Sequence, residues 1–251
     1  MGTLDVRGLR LGEGIPKIVS SVMGTTQEQV LDQARMCLAA DVDIVEWRAD
    51  YLDSIDEEAV RACLASLRQV VRDVPLLFTL RSVDQGGRCA LCSDDLALLV
   101  RAAAATSEAD VVDVELSNPR VQELVGFVQG AKAIALVSSH DFDGTPDHEG
   151  ICDLFQRELE VGADIAKVAV MANAEGDELR LMAATNLFSA DHPHSVVVGI
   201  AMGDLGAITR VSGEFFGSAL TFCSVGQGSA PGQLDVASTR AAMRQLHDQS
   251  R

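Results

Sequence analysis

The stretch Ala163-Asp164-Ile165-Ala166-Lys167-Val168-Ala169-Val170-Met171 places one lysine inside an otherwise apolar run. Short runs that are apolar almost throughout are typical of parallel strands covered on both faces. An ammonium group inside such a strand loses hydration, which favours its neutral, nucleophilic form. We therefore interpret Lys167 as a nucleophile. The alternative is a lysine that extends to solvent or pairs with Glu46 or Glu115.

Seven further runs rich in Val, Ile, Ala and Leu recur about every 20 to 35 residues along the chain. The eight predicted strands are residues 17–23, 43–48, 76–82, 111–116, 133–139, 165–171, 195–202 and 219–225. Helical patterns separate these strands, and no linker or low-complexity segment interrupts the alternation. Eight strand–helix units predict an α/β fold of the (β/α)8 TIM-barrel class, forming one catalytic domain over residues 1–251.

An open doubly wound sheet is the structural alternative, and it would usually carry a glycine-rich fingerprint after its first strand. Met23-Gly24-Thr25-Thr26 does not match such a fingerprint. Residues 4–14 predict a short hairpin that closes the bottom of the barrel. The capping-box spacing of Ser54 and Glu57 predicts that a helix starts at Ser54.

The chain carries 37 acidic and 20 basic residues, a formal net charge of −17. This charge repels nucleic acids and anionic membranes, so we expect neither as a partner. An anionic ligand would have to bind where positive side chains are clustered. No run reaches the ~18 apolar residues of a spanning helix, and residues 1–15 lack the apolar core of a signal peptide. We expect free thiols in a cytoplasmic protein, with Cys89 and Cys92 leading into a helix rather than binding metal.

His140 ends the strand before the one that carries Lys167. Adjacent strands lie roughly 5 Å apart, so the two side chains could meet at one substrate atom at the C-terminal face, where such barrels place their chemistry. A histidine there suits proton removal and return, although it could instead only cap the following turn. A metal site is disfavoured because Asp141 should face away from His140, and Asp143 and His148 lie in a loop.

Three arginines, Arg48, Arg81 and Arg210, come from separate elements near one rim of the predicted barrel. Their guanidinium groups can hold a carboxylate and hydroxyl oxygens in fixed orientation. The alternative is that they form structural salt bridges with Glu46, Asp50 and Asp204.

The segment 226–233 after the last predicted strand contains several glycines. It can fold over the mouth of the barrel, exclude water and bring Ser229 and Gln233 to a ligand. An ordinary connecting loop that caps the next helix is the alternative.

These residues together resemble the type I 3-dehydroquinate dehydratases, the Schiff-base enzymes of the shikimate pathway. The segments that carry the resemblance are Glu46-Trp47-Arg48-Ala49-Asp50, Phe78-Thr79-Leu80-Arg81-Ser82, Gly86-Gly87, Ser138-Ser139-His140-Asp141-Phe142-Asp143-Gly144-Thr145-Pro146, Ala163-Asp164-Ile165-Ala166-Lys167, Met202-Gly203, Arg210-Val211-Ser212-Gly213-Glu214-Phe215-Phe216-Gly217-Ser218, Thr221-Phe222 and Ser229-Ala230-Pro231-Gly232-Gln233. Each segment alone is modest, but their joint order and spacing over nearly the whole chain are highly specific.

The resemblance implies that Lys167 forms an imine with the C3 ketone of 3-dehydroquinate, which acidifies the C2 proton. His140 would remove that proton and later protonate the departing C1 hydroxyl, giving 3-dehydroshikimate and water in aromatic amino acid biosynthesis. Arg210 would hold the substrate carboxylate. The other substrate-binding residues would be Glu46, Arg48, Arg81, Ser229 and Gln233. The resemblance further implies a homodimer that uses neither a cofactor nor a metal.

Three residues depart from the family pattern. Thr209 stands where serine is usual and Leu80 where an aromatic residue is common, whereas Gln85 stands where the family commonly has a glutamate that hydrogen-bonds the catalytic histidine. An amide can still orient the imidazole, but it does not stabilise the imidazolium as a carboxylate does. Two hypotheses stand beside the hydro-lyase. One is a class I aldolase-like enzyme that uses the same imine on a C–C bond. The other is a catalytically weak barrel homologue that binds a small keto-acid, for which Gln85 is the only sequence support.

Overall fold

The computed structural model of the chain describes residues 2–226 and 228–250, and it contains an eight-stranded parallel sheet and a separate two-stranded hairpin. The strands are β1 (Leu4–Val6), β2 (Leu9–Leu11), β3 (Lys17–Val22), β4 (Ile44–Arg48), β5 (Leu76–Thr79), β6 (Val111–Glu115), β7 (Ile134–Asp141), β8 (Ile165–Met171), β9 (Val196–Met202) and β10 (Leu220–Cys223). The order β10-β3-β4-β5-β6-β7-β8-β9 follows the chain around the sheet.

The sheet curls until its two ends meet at a seam between β9 and β10. There the amide of Ala219 donates to the carbonyl of Val197 at 2.9 Å, and the amide of Gly199 donates to Ser218 Oγ at 3.1 Å. The predicted TIM-barrel class is therefore confirmed.

Helices surround the barrel and cover the outer face of its strands. They are α1 (Gln27–Ala39), α2 (Glu57–Val71), α3 (Ser93–Ala104), α4 (Val121–Gly130), α5 (His148–Glu160), α6 (Asp177–Asp191), α7 (Ala207–Val211), α8 (Gly213–Phe216) and α9 (Val236–Gln249). No helix among the described residues is both long and apolar enough to cross a bilayer.

The start of α2 corrects one prediction. The helix does not start at Ser54, because the N-cap is Asp56, whose carboxylate accepts a hydrogen bond from the amide of Ala59 at 2.8 Å. In contrast, Cys92 lies at the N-cap of α3, as predicted for the segment after Cys89.

The hairpin β1–β2 is confirmed, and it packs against the lower end of the barrel. Val6 and Leu11 are buried among the first inward-facing side chains of the strands, such as Val19, Ile44 and Ile165. These apolar side chains fill the lower half of the barrel, which leaves the polar inward-facing residues near the C-terminal ends of the strands.

Candidate active site

A cavity opens at the C-terminal face of the barrel, where the sequence predicts the chemistry. Every side chain that the sequence singles out for catalysis or substrate binding lines it: Glu46, Arg48, Arg81, Gln85, His140, Lys167, Arg210, Ser229 and Gln233. The structure therefore brings together in one place residues that are dispersed over most of the chain.

Lys167 lies inside the barrel rather than on its outer wall. Its side chain points inward from β8, and the residue is 5% exposed. Lys167 Nζ lies 3.1 Å from His140 Nε2 and 4.5 Å from the centroid of the Phe222 ring. No described carboxylate lies within 4.0 Å of Nζ, because Glu115 pairs with Arg81 and Glu46 accepts hydrogen bonds from hydroxyl groups. The alternative of an ion-paired or outward lysine is therefore wrong.

Gln85 determines how the imidazole of His140 is presented. Its Oε1 accepts from the backbone amide of His140 at 2.7 Å and lies 3.2 Å from His140 Nδ1. An oxygen that already faces a backbone N–H is an acceptor, so Nδ1 carries the hydrogen of the neutral ring. The lone pair of Nε2 then points at the amine of Lys167, which is the orientation that a general base requires.

Both groups are shifted toward their neutral forms. Burial, followed by the positive charge of Arg81, lowers the pKa of Lys167 to about 8. At pH 7 about a tenth of the amine is then unprotonated, against well under a thousandth for an ordinary lysine. Burial and the charges of Arg81 and Lys167 likewise hold the pKa of His140 well below its ordinary value. The site therefore presents a nucleophilic amine beside a neutral base.

Arg81 is neutralised by two acidic residues on β6. Its guanidinium contacts Asp113 and donates to Glu115 at 3.0 Å and to Ser138 Oγ at 2.9 Å, while Ser138 Oγ donates to Asp113 at 2.7 Å. Arg81 is 3% exposed, and a charge that deep is stabilised only by such pairing. The acid partner of Arg81 is thus neither Glu46 nor Asp50.

Arg48 and Glu46 point from β4 into the same cavity. Arg48 makes a bidentate ion pair with Asp50, with both contacts at 2.8 Å, as the salt-bridge alternative predicts for this arginine. Glu46 accepts from Thr79 Oγ1 at 2.8 Å and from the hydroxyl of Ser21. Their remaining polar atoms can meet substrate hydroxyls.

Arg210 differs from the other two arginines. The residue is 2% exposed, and its guanidinium donates to the main-chain carbonyls of Phe222 and Pro231 at 3.4 and 3.2 Å. Among the described residues it forms no ion pair, so the pairing with Asp204 is wrong, and its Nε has no partner. Burial lowers its pKa to about 10. A desolvated cation without a counter-ion is a strong binding site for a ligand carboxylate.

The segment after β10 closes over the cavity, with Gln227 outside the described residues. Ser229 Oγ lies 2.9 Å from Ser21 Oγ, and Gln233 Nε2 donates to Ser229 Oγ at 3.0 Å. Both predicted residues of this segment line the cavity, so it is more than an ordinary connection between a strand and a helix.

Several side chains that complete the site are not among the residues predicted from the sequence. Asp113 shows the same sequence signal as Lys167, because it is a charged residue at an alternate position of an apolar strand. It could therefore have been predicted. Ser21 and Thr79 are small polar residues without such a signal. Their importance follows only from their hydrogen bonds to Ser229 and Glu46.

The chain is similar over nearly its whole length to proteins of one family. Residues 18–250 match the family model for type I 3-dehydroquinase. The 3-dehydroquinate dehydratase of Salmonella agona (strain SL483) is 38% identical over 98% of this chain and 99% of its own length. The crystal structure of 3-dehydroquinate dehydratase from Geobacillus kaustophilus HTA426 superposes with a TM-score of 0.96 at 36% identity, covering 99% of this chain and 98% of the other.

A structure of the type I 3-dehydroquinate dehydratase from Clostridium difficile, with covalently modified comenic acid, is also similar. It has a TM-score of 0.94 and 34% identity, and the match covers 98% of each chain. These likenesses extend over the whole barrel, including the cavity.

Proposed function

The chain belongs to the type I 3-dehydroquinase family and dehydrates 3-dehydroquinate to 3-dehydroshikimate, and on that premise we propose that Lys167 and His140 carry out the reaction. The family assignment favours the hydro-lyase over an aldolase-like enzyme and over a barrel that only binds a keto-acid.

In the proposed first step, the neutral amine of Lys167 attacks the C3 carbonyl of the substrate. The resulting carbinolamine takes up one proton from solution and loses its hydroxyl group as water, which leaves a protonated imine. Arg210 binds the substrate carboxylate, because it is the buried guanidinium without an ion pair among the described residues. Glu46, Arg48, Arg81, Ser229 and Gln233 contact the hydroxyl groups and hold the ring in place. No cofactor is required, because the cationic imine accepts the electron pair.

The elimination itself uses His140 twice. Nε2 takes the C2 proton, and the C–H electron pair moves toward the imine nitrogen to form an enamine. The enamine then expels the C1 hydroxyl, which receives its proton from the imidazolium and leaves as water. An imidazolium of low pKa gives up that proton readily. A water molecule finally hydrolyses the product imine, which regenerates the amine of Lys167.

The observation that carries this proposal is the 3.1 Å contact between Lys167 Nζ and His140 Nε2. Borohydride added during turnover of 3-dehydroquinate should leave a reduced adduct on Lys167, located by peptide mass spectrometry. Lys167→Ala should lose both the adduct and the enone absorbance of the product. Lys132→Arg is the matched control and should still be trapped at Lys167. An unlabelled Lys167 in an active enzyme would refute the mechanism.

His140→Ala separates the two proposed roles. Imine formation should survive in part, so borohydride should still label Lys167, while turnover falls by about 10²- to 10⁴-fold because the proton carrier is gone. A variant with unchanged turnover, or with neither adduct nor turnover in a folded protein, would contradict the separation of roles.

We also propose that the protein is a cytoplasmic homodimer. All six cysteines are free thiols, which suits a reducing compartment. Light scattering should then give twice the 26.6 kDa of one chain, and cell fractionation should recover the protein with cytoplasmic markers. A particle of the mass of one chain would reject the dimer.

A further inference from the structure

A second cavity opens on the C-terminal face, beside the active-site cavity. It lies between α1 and the start of the segment after β10, and its volume of about 360 Å³ is sufficient for a small organic ligand. Its walls include Gln29 and Gln33 from α1, together with Tyr51, Arg88 and Gly226. No carboxylate among the described residues lines it, in a chain that has 37 acidic side chains. A cavity lined by an arginine and by no carboxylate favours the binding of an anion.

Arg88 supplies the positive charge of this cavity. Its guanidinium lies 4.1 Å from the centroid of the Tyr51 ring, and its backbone amide donates to Asp50 Oδ2 at 3.0 Å. The side chain is exposed, and no described carboxylate lies within 4.0 Å of it. Stacking on an aromatic ring restrains the guanidinium plane while leaving its N–H groups free for a carboxylate.

The two glutamines add hydrogen-bond donors. Gln29 Oε1 accepts from the amide of Thr25 at 3.0 Å, and Gln33 Oε1 accepts from the amide of Met23 at 2.6 Å. Because both amide oxygens are engaged by the backbone, these side chains present their NH₂ groups to a ligand.

Tyr51 connects this cavity to the catalytic one. Arg48, which lines the active-site cavity, lies 5.2 Å from the centroid of the same ring. The guanidinium groups of Arg88 and Arg48 therefore contact the same ring, Arg88 from the outer cavity and Arg48 from the cavity that Arg210 also lines. Because Arg48 is paired with Asp50, Arg88 supplies the unpaired charge at the entrance, and it can attract an anion to a protein whose overall charge repels it.

The boundary between the two cavities is a hydrogen bond to the closing segment. Ser21 lines the outer cavity, and its hydroxyl lies 2.9 Å from that of Ser229, which lines the catalytic one. Movement of the segment away from Ser21 would break this contact and join the two spaces.

We propose that the outer cavity, centred on Arg88, is a docking site for the carboxylate of the incoming substrate before the closing segment admits it to Lys167. This inference rests on the proposed function, since it assigns a hydroxylated cyclic carboxylate as the ligand. Arg88 contacts the substrate in transit and takes no part in the chemical steps.

Steady-state kinetics of Arg88→Gln test the proposal, because the substitution removes the charge and leaves the backbone bond to Asp50. At about 20 mM NaCl, kcat/KM for 3-dehydroquinate should fall about 3- to 10-fold while kcat stays within about twofold. The loss should nearly vanish at about 0.5 M NaCl, because salt screens exposed charges. Arg88→Lys should recover most of the loss.

Arg72→Gln is the matched control, since it removes one exposed arginine at the end of α2, on the opposite face of the barrel. Equal salt-dependent losses in the two variants would show a general charge effect and overturn the docking site. A loss in kcat that salt does not change would make Arg88 a structural support and would overturn it as well. A wild-type protein that does not dehydrate 3-dehydroquinate would instead refute the proposed function itself.

Discussion

At the scale of the residue, the catalytic imidazole is held by an uncharged amide. Gln85 fixes the tautomer of His140 through one oxygen, while burial and three neighbouring cations oppose protonation of the ring. This arrangement keeps His140 a free base well into mildly acidic solution, which suits proton abstraction. It also makes the protonated ring more acidic than an ordinary imidazolium, which suits departure of the hydroxyl group.

Gln85→Glu should change the pH dependence in a defined direction. A carboxylate beside Nδ1 favours the imidazolium, so the pKa of His140 should rise from its lowered position. Since the base must be neutral to accept the proton in the imine complex, where Lys167 no longer titrates, the acidic limb of the pH profile of kcat should move to higher pH. The profile of enone formation measures this shift. Gln85→Met, which removes the hydrogen bonds without adding charge, should lower the rate without an upward shift, and an acidic limb unchanged in Gln85→Glu would contradict the argument.

The sequence allowed most of this site to be predicted. Lys167 was identifiable because a charge in an apolar strand is physically costly, and a family resemblance supplied the roles of residues such as Arg210. The partners of the arginines were not predictable, because ion pairs such as Arg81 with Asp113 depend on which strands become neighbours. The outer cavity around Arg88 depends on the packing of several loops and left no pattern in the sequence.

At the scale of the element, the strands were predicted closely, whereas a helix start was not. Parallel strands buried on both faces give a continuous apolar signal, as in β8, whose bounds agree with the prediction. The start of α2 depends instead on which of two nearby polar side chains reaches the free amides. The carboxylate of Asp56 does so, and it also interacts favourably with the helix dipole.

Separate substitution of Asp56 and Ser54 should show which of the two residues caps α2. Asp56→Ala should lower the free energy of unfolding by about 1 kcal/mol, because the amide of Ala59 loses its acceptor. Ser54→Ala is the matched control and should stay within about 0.5 kcal/mol of the wild type. Urea denaturation measures both values. A larger loss of unfolding free energy for Ser54→Ala than for Asp56→Ala would show that Ser54 caps the helix, as the sequence predicts.

Helix α5 buries a carboxyl group that the proposed mechanism does not use. Glu158 is fully buried, and neither oxygen has a hydrogen-bond partner among the described residues. Burial raises its pKa well above the ordinary value. A carboxyl whose pKa is raised by folding stabilises the folded state fully below its unfolded pKa, and this contribution is lost as pH rises toward the folded value.

Glu158→Met should therefore stabilise the protein at pH 8, by about 1–3 kcal/mol, because an apolar side chain replaces an unpartnered acid. The gain should shrink as the pH falls toward the unfolded pKa of a glutamate. Denaturant midpoints at several pH values measure it, with the exposed Glu160→Met as the control. A loss of stability that is equal at every pH would show that Glu158 has a packing role instead.

At the scale of the whole molecule, the hairpin completes the apolar cluster inside the barrel. Leu11 has no exposed surface and packs among side chains from strands all around the barrel, so we propose that residues 1–251 form one folding domain. Leu11→Ala should cost about 2–5 kcal/mol and should lower the far-UV circular dichroism and activity transitions together. Leu9→Ala, at a half-buried position of the same hairpin, should cost less. Separate transitions for activity and secondary structure would reject the single domain.

The seam between β9 and β10 bears on where the barrel opens and closes. β8 and β9 are paired over seven residues, whereas the described backbone across the seam is joined at Ala219 and Val197 alone. The seam is also flanked by the helix that carries Arg210 and by the start of the closing segment. Amide hydrogens along β10 should consequently exchange with deuterium faster than those of β8, so the barrel wall is least tightly joined beside the segment that closes the cavity.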